Sequence, residues 1–461
     1  MKFKKYLPLA IASLVMVACN NEEIPTNGID GENGGNTWAA FSIQLPKTTG
    51  TRAADATNAT AAETEVKTVA LYIEQNGHLN GKVYNLSDFS SDAANDQNVY
   101  KAKIAVQAEE GSAKVWVVVN PTTAMHQQIM ASPANEAFHT AFTTTVTKLA
   151  GGYSYATETD VTNSGFVMAN KETKNVTLVA VKTENEAVNN GNADDNKNHF
   201  VINVERAVAK VAVINKKATL AELNSLPEQG DFSDIKYYVS QVNTETFMAR
   251  KTDATAQREG ANIITPGNDH DGTGTVFGTK IMDGNPLPIN GLTVSGSALN
   301  SIYVLENSML NPFEQNATHA VIVATWTPKT LYQADGNTPF TSYTTGDNFW
   351  FYNSRYYGEE PAECAAGSGH ADAGKGDTYK WTKGKCYYRV YLYDKYTGNA
   401  KFHDVVRNTI YNVNIASIKA PGSNSDVPPV GPTPIPEDVW VTANVDILPW
   451  SSASMDDVDL H

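Results

Sequence analysis

The sequence predicts an all-β chain, and three observations carry that reading. Apolar residues recur at every second position in a series of short segments, the spacing that gives a strand one buried face. Asn, Thr, Ala, Val, Gly and Tyr dominate the composition, while Leu-rich helical periodicity is scarce. Long polar stretches rich in Gly, Asn and Pro separate the alternating segments. The chain has 461 residues, 41% hydrophobic and 18% charged, enough to build two or three domains with large cores. A formal net charge of −15 argues against nucleic acid as a partner.

The first element to set aside is the N-terminus. Lys2, Lys4 and Lys5 precede an apolar run, Leu7–Val17, that is too short for a usual membrane-spanning helix. It ends in Leu14-Val15-Met16-Val17-Ala18-Cys19, which resembles the lipobox of bacterial lipoproteins, with Met16 where Leu is usual. The resemblance implies a signal peptide over 1–18, lipidation of Cys19 and attachment to the outer membrane through the lipid. The acidic pair in Asn20-Asn21-Glu22-Glu23 resembles the signal that sends Bacteroidota lipoproteins to the outer face of that membrane. Residues 20–36 are polar and Gly/Asn-rich, a flexible tether.

The first strand lies in Thr37–Ala54, TWAAFSIQLPKTTGTRAA. Phe41, Ile43 and Leu45 fall on one face, with Ser42 and Gln44 on the other. Pro46–Ala54 is a loop, and Arg52–Ala53 is an exposed bond of the kind a trypsin-like protease cuts. A cut there frees the strand to leave and exposes a hydrophobic groove with unpaired backbone groups.

Strands follow at Val66–Glu74, Tyr100–Ala108 and Ala113–Asn120, the last fully apolar and therefore central in a sheet. Residues 121–150 are the most helix-compatible part of this half, broken at Pro133. After strands at 166–170 and 175–182, Glu184–Lys197 reads as an acidic, Asn-rich loop. His199–Ile214, HFVINVERAVAKVAVI, reads as one long strand that closes a domain spanning 53–216. A second domain, 217–435, has strands at Tyr237–Asn243, Gly291–Val294, Leu299–Glu306, Ala320–Thr327, Cys386–Asp394 and Asn408–Ile418. Long loops separate them at Thr252–Phe277, Pro328–Asn348 and Tyr357–Lys380. Gly422–Pro436 is a Pro-rich linker, and 436–461 holds a last strand, Val439–Leu448. Val439, Val441, Ala443, Val445 and Ile447 share one face of it. A detachable strand at one end is thus matched by a strand on a proline arm at the other.

At this point the chain resembles the Mfa-type fimbrillins, the FimA/Mfa-like stalk subunits of Bacteroidales fimbriae. The resemblance rests on the lipobox and its follower at Cys19–Asn36, the strand-plus-arginine segment Thr37–Ala54, VERAVAKV at Val204–Val211, and VRNTIYNVNI at Val406–Ile415 before the linker and the closing Leu448-Pro449-Trp450. It implies two transthyretin-like β-sandwich domains in tandem and a propeptide over 19–52 cut between Arg52 and Ala53 by an extracellular Arg-specific protease. It also implies head-to-tail assembly with identical or related subunits by donor-strand exchange, a form of β-augmentation. The removed strand is then the one carrying Phe41, Ile43 and Leu45. The donor lies within Val439–His461: either the stretch with Val439, Val441, Val445 and Ile447, or the tail with Met455, Val458 and Leu460. The localisation implied is the outer membrane for the precursor and an extracellular fimbrium after assembly, supporting adhesion to host or bacterial surface receptors.

No feature argues for an enzyme, a metal or a cofactor. The nine histidines are too scattered for a metal motif such as H-E-x-x-H, and Ala366-Gly367-Ser368-Gly369 only approaches a nucleophile elbow. Asp269-His270-Asp271-Gly272 lacks the Glu that closes a calcium loop, with Lys280 in its place. The aromatic run Phe349–Tyr352 with Tyr356 and Tyr357 reads as core packing. With Cys19 lipidated, Cys364 and Cys386 remain, either bridged or free. A fimbrial tip adhesin and a surface glycan-binding lipoprotein are the competing functional readings.

Overall fold

The computed structural model describes residues 35–46, 59, 62–92, 96–134, 137–139, 142–143, 165–181, 183–189, 198–252, 263–266, 279–292, 299–309, 311–397, 400–428, 432–436 and 441–449. Among them the chain is all-β, as its alternation predicts, with short helical turns between strands.

The N-terminal half builds a ten-stranded sheet. Its order is His78–Asn85, Thr68–Gln75, Gly111–Val119, Met168–Asn170, His199–Arg206, Thr37–Gln44, Asp96–Ala102 and Phe89–Asp92. Lys174–Leu178 pairs beside Gly111–Val119, and Val106–Ala108 beside Thr37–Gln44. The sheet curls back on itself, because Phe41 in the sixth strand of that order packs edge-on against Tyr84 in the first, 5.2 Å between ring centres. Gly111–Val119 is interior as the unbroken apolar run Val115–Val119 within it requires: Val115, Val117, Val118 and Val119 are all buried. The helix within 121–150 is Thr123–Ala131, capped by Thr122 and ending at Ser132, just before Pro133.

The C-terminal half has two further sheets. One runs Ile302–Val304, Ala209–Asn215, Thr409–Ile418, Val441–Pro449; the other runs Lys280–Ile281, Gly230–Ser240, His319–Pro328, Lys385–Tyr391, with Leu287–Pro288 beside Gly230–Ser240. They stack: the Tyr237 hydroxyl of the second donates to the Asn300 carbonyl (2.9 Å) beside the first and lies 3.4 Å from the Val211 carbonyl within it. The aromatic run forms a small three-stranded sheet with Lys380–Trp381, in which Phe349, Tyr352, Tyr356 and Tyr357 are buried and Phe351 is 37% exposed.

Three expectations need correction. His199–Ile214 is two strands in two sheets: His199–Arg206 ends the N-terminal sheet, the chain steps across at Ala207-Val208, and Ala209–Asn215 runs parallel to Thr409–Ile418. Both segments alternate identically, so a change of sheet leaves no mark in the periodicity. Tyr100–Ala108 is likewise two strands, Asp96–Ala102 and Val106–Ala108, each pairing with a different end of Thr37–Gln44. The supposed loop at Glu184 opens with a helix, Glu184–Asn189. Thr183 and Glu186 hold its start reciprocally, each side chain accepting from the other's backbone N–H at 3.2 Å.

The halves meet over a buried ionic seam built from the VERAVAKV and VRNTIYNVNI segments. Glu205 pairs with Arg250 through two hydrogen bonds (2.8 and 3.0 Å), and Arg407 pairs with Glu306 at 2.6 Å. Arg407 also donates to the carbonyls of Met248 and Phe247. Next to them Lys210 and the Tyr303 hydroxyl both reach Glu63 Oε1 at 2.8 Å, and Arg206 Nε donates to the Glu63 carbonyl. Asn408 holds left-handed backbone (φ 57°), which Asn tolerates better than most residues, and its Oδ1 accepts from Arg206 Nη1 at 3.0 Å. Removing one member of a buried pair leaves the other charge uncompensated away from water, so the seam resists substitution of one member. Arg407→Met is expected to cost about 3–5 kcal/mol, since it removes the nearer of the two guanidinium partners of the buried Glu306 carboxylate, and Tyr303→Phe about 1 kcal/mol; urea unfolding of the purified chain measures both.

Candidate functional site

The site is the slot that holds the first strand, Thr37–Gln44. Its neighbours lie on both sides. Residues Ala40–Gln44 run parallel to His199–Asn203, Ser42–Gln44 pair antiparallel with Val99–Lys101, and Thr37–Ala39 pair with Val106–Ala108. A strand near the start of the chain thus sits in the interior of the sheet, with ladder partners at both of its edges. Beyond the ladder, the Leu45 N–H donates to Asn98 and the Ala40 N–H to the Asn198 carbonyl at 2.7 Å.

Both faces are buried. The inner face carries Ala39, Phe41, Ile43 and Leu45, each no more than 2% exposed, within the main hydrophobic cluster. Phe41 stands edge-on to both Tyr84 and Phe89. Burial of Phe41, Ile43 and Leu45 contributes roughly 5–9 kcal/mol gross. The second face is not the solvent face that alternation suggests. Ala40 packs with Ala105, Ala187 and Val188 beneath the helix Glu184–Asn189, and Ser42 is 4% exposed. The helix is pinned by Glu184, which accepts from the Ala105 N–H at 2.9 Å.

Polar groups hold the strand in register. Thr37 Oγ1 donates to the Val179 carbonyl (2.6 Å) and accepts from the Val181 N–H and from Asn198 Nδ2. Asn198 Nδ2 also donates to the Trp38 carbonyl at 2.8 Å. Ser42 Oγ lies 2.9 Å from His199 Nε2, and the His199 ring hydrogen-bonds to the backbone of Ala187 and Val188 at the end of the helix. Burial, with Lys101 nearby, lowers the His199 pKa to about 4, so the ring is neutral at pH 7. One ring nitrogen then donates to the helix carbonyls and the other accepts from Ser42.

At the other end of the sequence, the closing strand Val441–Pro449 is, among the described residues, an edge strand. It lies antiparallel to Thr409–Ile418, from Thr409 opposite Pro449 to Ile418 opposite Val441, with a bulge between Ile415 and Ser417. Val441 and Val445 are buried against the C-terminal core, and Ile447 stands opposite Tyr411 in the register. Thr442 and Asn444 point outward and are exposed. The linker is not a free arm. Ser423 exchanges backbone bonds with Tyr387, Arg389 donates to the Ser425 and Val427 carbonyls, and the Glu314 N–H donates to the Thr433 carbonyl. The alternation of 439–448 shows a strand but not its partner, and here that partner is its own chain.

Cys19, Arg52, Ala53, Val439, Met455, Val458 and Leu460 lie outside the described residues. Cys364 and Cys386 are both free and buried, so the bridged alternative is not realised. Cys386 lies in the main core and Cys364 in a satellite cluster with Tyr352 and Tyr357. Burial pushes both thiols above their ordinary pKa. Sequence reasoning missed His199, Asn198 and the covering helix. The signal available was Asn198-His199 at the start of an apolar strand, where polar side chains need buried partners. His199 titrates lower in the fold than in the open chain. Its contribution to stability is therefore full above about pH 6.5 and is lost as the pH falls through that value toward 4. The melting temperature of the uncut chain is expected to fall across that window, and His199→Asn is expected to flatten the fall; thermal scans at a series of pH values measure it.

Comparison with known proteins bears on the C-terminal part first. Residues 379–456 match the family model described as the major fimbrial subunit protein type IV, fimbrillin, C-terminal. That span contains VRNTIYNVNI, the linker and the closing strand. Among solved structures, a fimbrilin (FimA) from Porphyromonas gingivalis is similar at 13% identity and a TM-score of 0.47, covering 91% of this chain and 99% of its own. A protein from Parabacteroides distasonis described as a cell adhesion protein gives 14% identity and 0.47, with 90% and 100% covered. The tip fimbrial protein Mfa3 from Porphyromonas gingivalis gives 11% and 0.37, with 90% and 100% covered. Residues 379–456, the segment that carries the most specific motif, are thus similar to the C-terminal part of the fimbrillins, the family that the sequence resembles.

Proposed function

We propose that this chain is a stalk subunit of a fimbrium on the bacterial outer surface, polymerising by donor-strand exchange after proteolysis. The observation that carries the reading is the placement of Thr37–Gln44: an interior strand, buried on both faces, with Arg52 eight residues beyond its end in the sequence. While the tether is intact, this strand competes with any incoming one at a high effective concentration. A cut at Arg52–Ala53 by an extracellular Arg-specific protease removes that advantage, and loss of the strand leaves two sheet edges and an apolar slot for a neighbour's strand. Donation from the end of one copy into the slot of the next is heterologous and need not close, the geometry of a filament. In this reading 19–52 is the propeptide, Cys19 carries the lipid during export to the outer membrane, and 436–461 is the donor segment of an identical or related subunit.

The assay is cleavage and assembly of the precursor without its lipid. Treatment with an Arg-specific protease is expected to give a new N-terminus at Ala53 and ladders on an unboiled gel, both abolished by Arg52→Ala. Clean cleavage that leaves only monomer overturns the stalk reading. For the lipid, labelled palmitate fed to cells expressing the chain is expected to mark the wild type and not Cys19→Ala.

A further inference from the structure

Seven of the 35 basic residues are arginine, and their placement differs from that of the lysines. Five of the seven lie among the described residues, and each is locked into the framework. Arg206 and Arg407 are buried in the seam, the first on Glu63 and Asn408, the second on Glu306. Arg250 is held there too, by its two bonds to Glu205. Arg389 sits within Lys385–Tyr391 opposite Val321, and its guanidinium donates to the Ser425 and Val427 carbonyls at 3.1 and 2.9 Å. Arg355 is the most exposed of the five, yet its guanidinium lies 5.2 Å from the Tyr332 ring centre and donates to the Gly336 carbonyl. Its backbone begins the paired strand Arg355–Tyr357, and the two residues after it, Tyr356 and Tyr357, are buried.

An Arg-specific protease must take the whole guanidinium into its pocket, with an extended stretch of backbone beside it. At these five positions the side-chain bonds must break and a strand or the seam must open first. Cutting then follows the small population of the open form. None of the five is followed by Pro, so the sequence alone protects none of these bonds. Arginine's planar fork suits buried pairs better than lysine's point charge, which accounts for arginine inside. It does not account for lysine at exposed positions between strands, such as Lys171, Lys216, Lys217, Lys329, Lys375 and Lys419, where either cation would serve.

We propose that this division is a filter for the processing protease: the fold withholds its framework arginines, so an Arg-specific enzyme reads the bond after Arg52 without dismantling the subunit. This rests on the proteolysis reading above and adds what keeps the cut subunit whole. The seventh arginine, Arg258, falls in the sequence between the paired strands Lys251–Thr252 and Ile263–Ile264. A cut there leaves both arms fastened. One follows Arg250, which is bound to Glu205, and the other is held by the Ser308 hydroxyl on the Ile263 carbonyl at 2.7 Å.

The test is digestion of the folded full chain, without its lipid, by an Arg-specific protease, with the fragments identified by mass. Cuts are expected after Arg52, with or without one after Arg258, and at none of the five framework arginines. The urea-unfolded chain is expected to be cut at all seven. Lys217→Arg, at an exposed position, is expected to keep the wild-type melting temperature and to gain a cut after residue 217, at least tenfold faster than at any framework arginine. A folded wild type cut after Arg206, Arg250, Arg355, Arg389 or Arg407 overturns the filter, and so does a folded Lys217→Arg chain left uncut at 217. Five bonds that resist equally in urea overturn it too, since the fold is then not what protects them. A chain shielded at all five but also uncut after Arg52 defeats the proteolysis reading, while the shielding of the framework holds.

Discussion

Everything in the N-terminal half depends on one strand having two neighbours. Thr37–Gln44 bonds to His199–Arg206 along one edge and to Asp96–Ala102 and Val106–Ala108 along the other, so it joins the two parts of the curled sheet. Its inner side chains complete the core around Tyr84 and Phe89, and its outer ones seat the helix Glu184–Asn189. Backbone pairing and two-sided burial add in the same place, which makes the strand costly to lose and its vacancy reactive toward another strand. The parallel pairing with His199–Arg206 follows from the path of the chain. The two strands are more than 150 residues apart in sequence, far beyond a hairpin, and a parallel pair requires such a crossover.

The seam sets the frame in which that strand sits. Glu205, Arg206 and Lys210 flank the step at Ala207-Val208 where the chain passes from one sheet to the other, and Arg407 and Asn408 stand at the start of Thr409–Ile418, the partner of the next strand. Buried charges are poor sources of net stability but strict about geometry, because each must find its counterpart. Glu63 is part of this network and lies just after the tether region, bound by Lys210, Arg206 and Tyr303. The chain that follows the tether is therefore held at the seam through Glu63, by contacts that the first strand does not make. The C-terminal sheet shows the complementary arrangement: among the described residues its last strand lies at an edge, with one ladder partner rather than two.

Much of the fold was legible in the sequence. The alternation of Phe41, Ile43 and Leu45, the apolar run of Gly111–Val119 and the closing strand all follow from period-two burial, which depends only on the strand's own geometry. The helix at Glu184 was hidden because its sequence is short and polar and its stability comes from packing on Ala40 and Ala105. The division of His199–Ile214 was hidden because two strands in different sheets share one periodicity. Of the candidate site, the inner face was readable and the outer face was not. Ser42 looks like a solvent residue until the fold buries it with its hydroxyl 2.9 Å from His199 Nε2.

By itself the sequence determined the secondary structure class, the positions of the first, central and closing strands, the two-faced character of the first and last strands, and the fimbrillin resemblance carried by VRNTIYNVNI and its surroundings. These depend on local spacing and residue type. Only the tertiary structure decided which strands are neighbours, that the first strand is interior while the last lies at an edge, that Cys364 and Cys386 are apart, and that His199 faces Ser42. The physical reason is that alternation specifies a strand's faces, whereas its edges carry the same N–H and C=O groups in every sequence; the choice of partner is made by long-range packing of side chains.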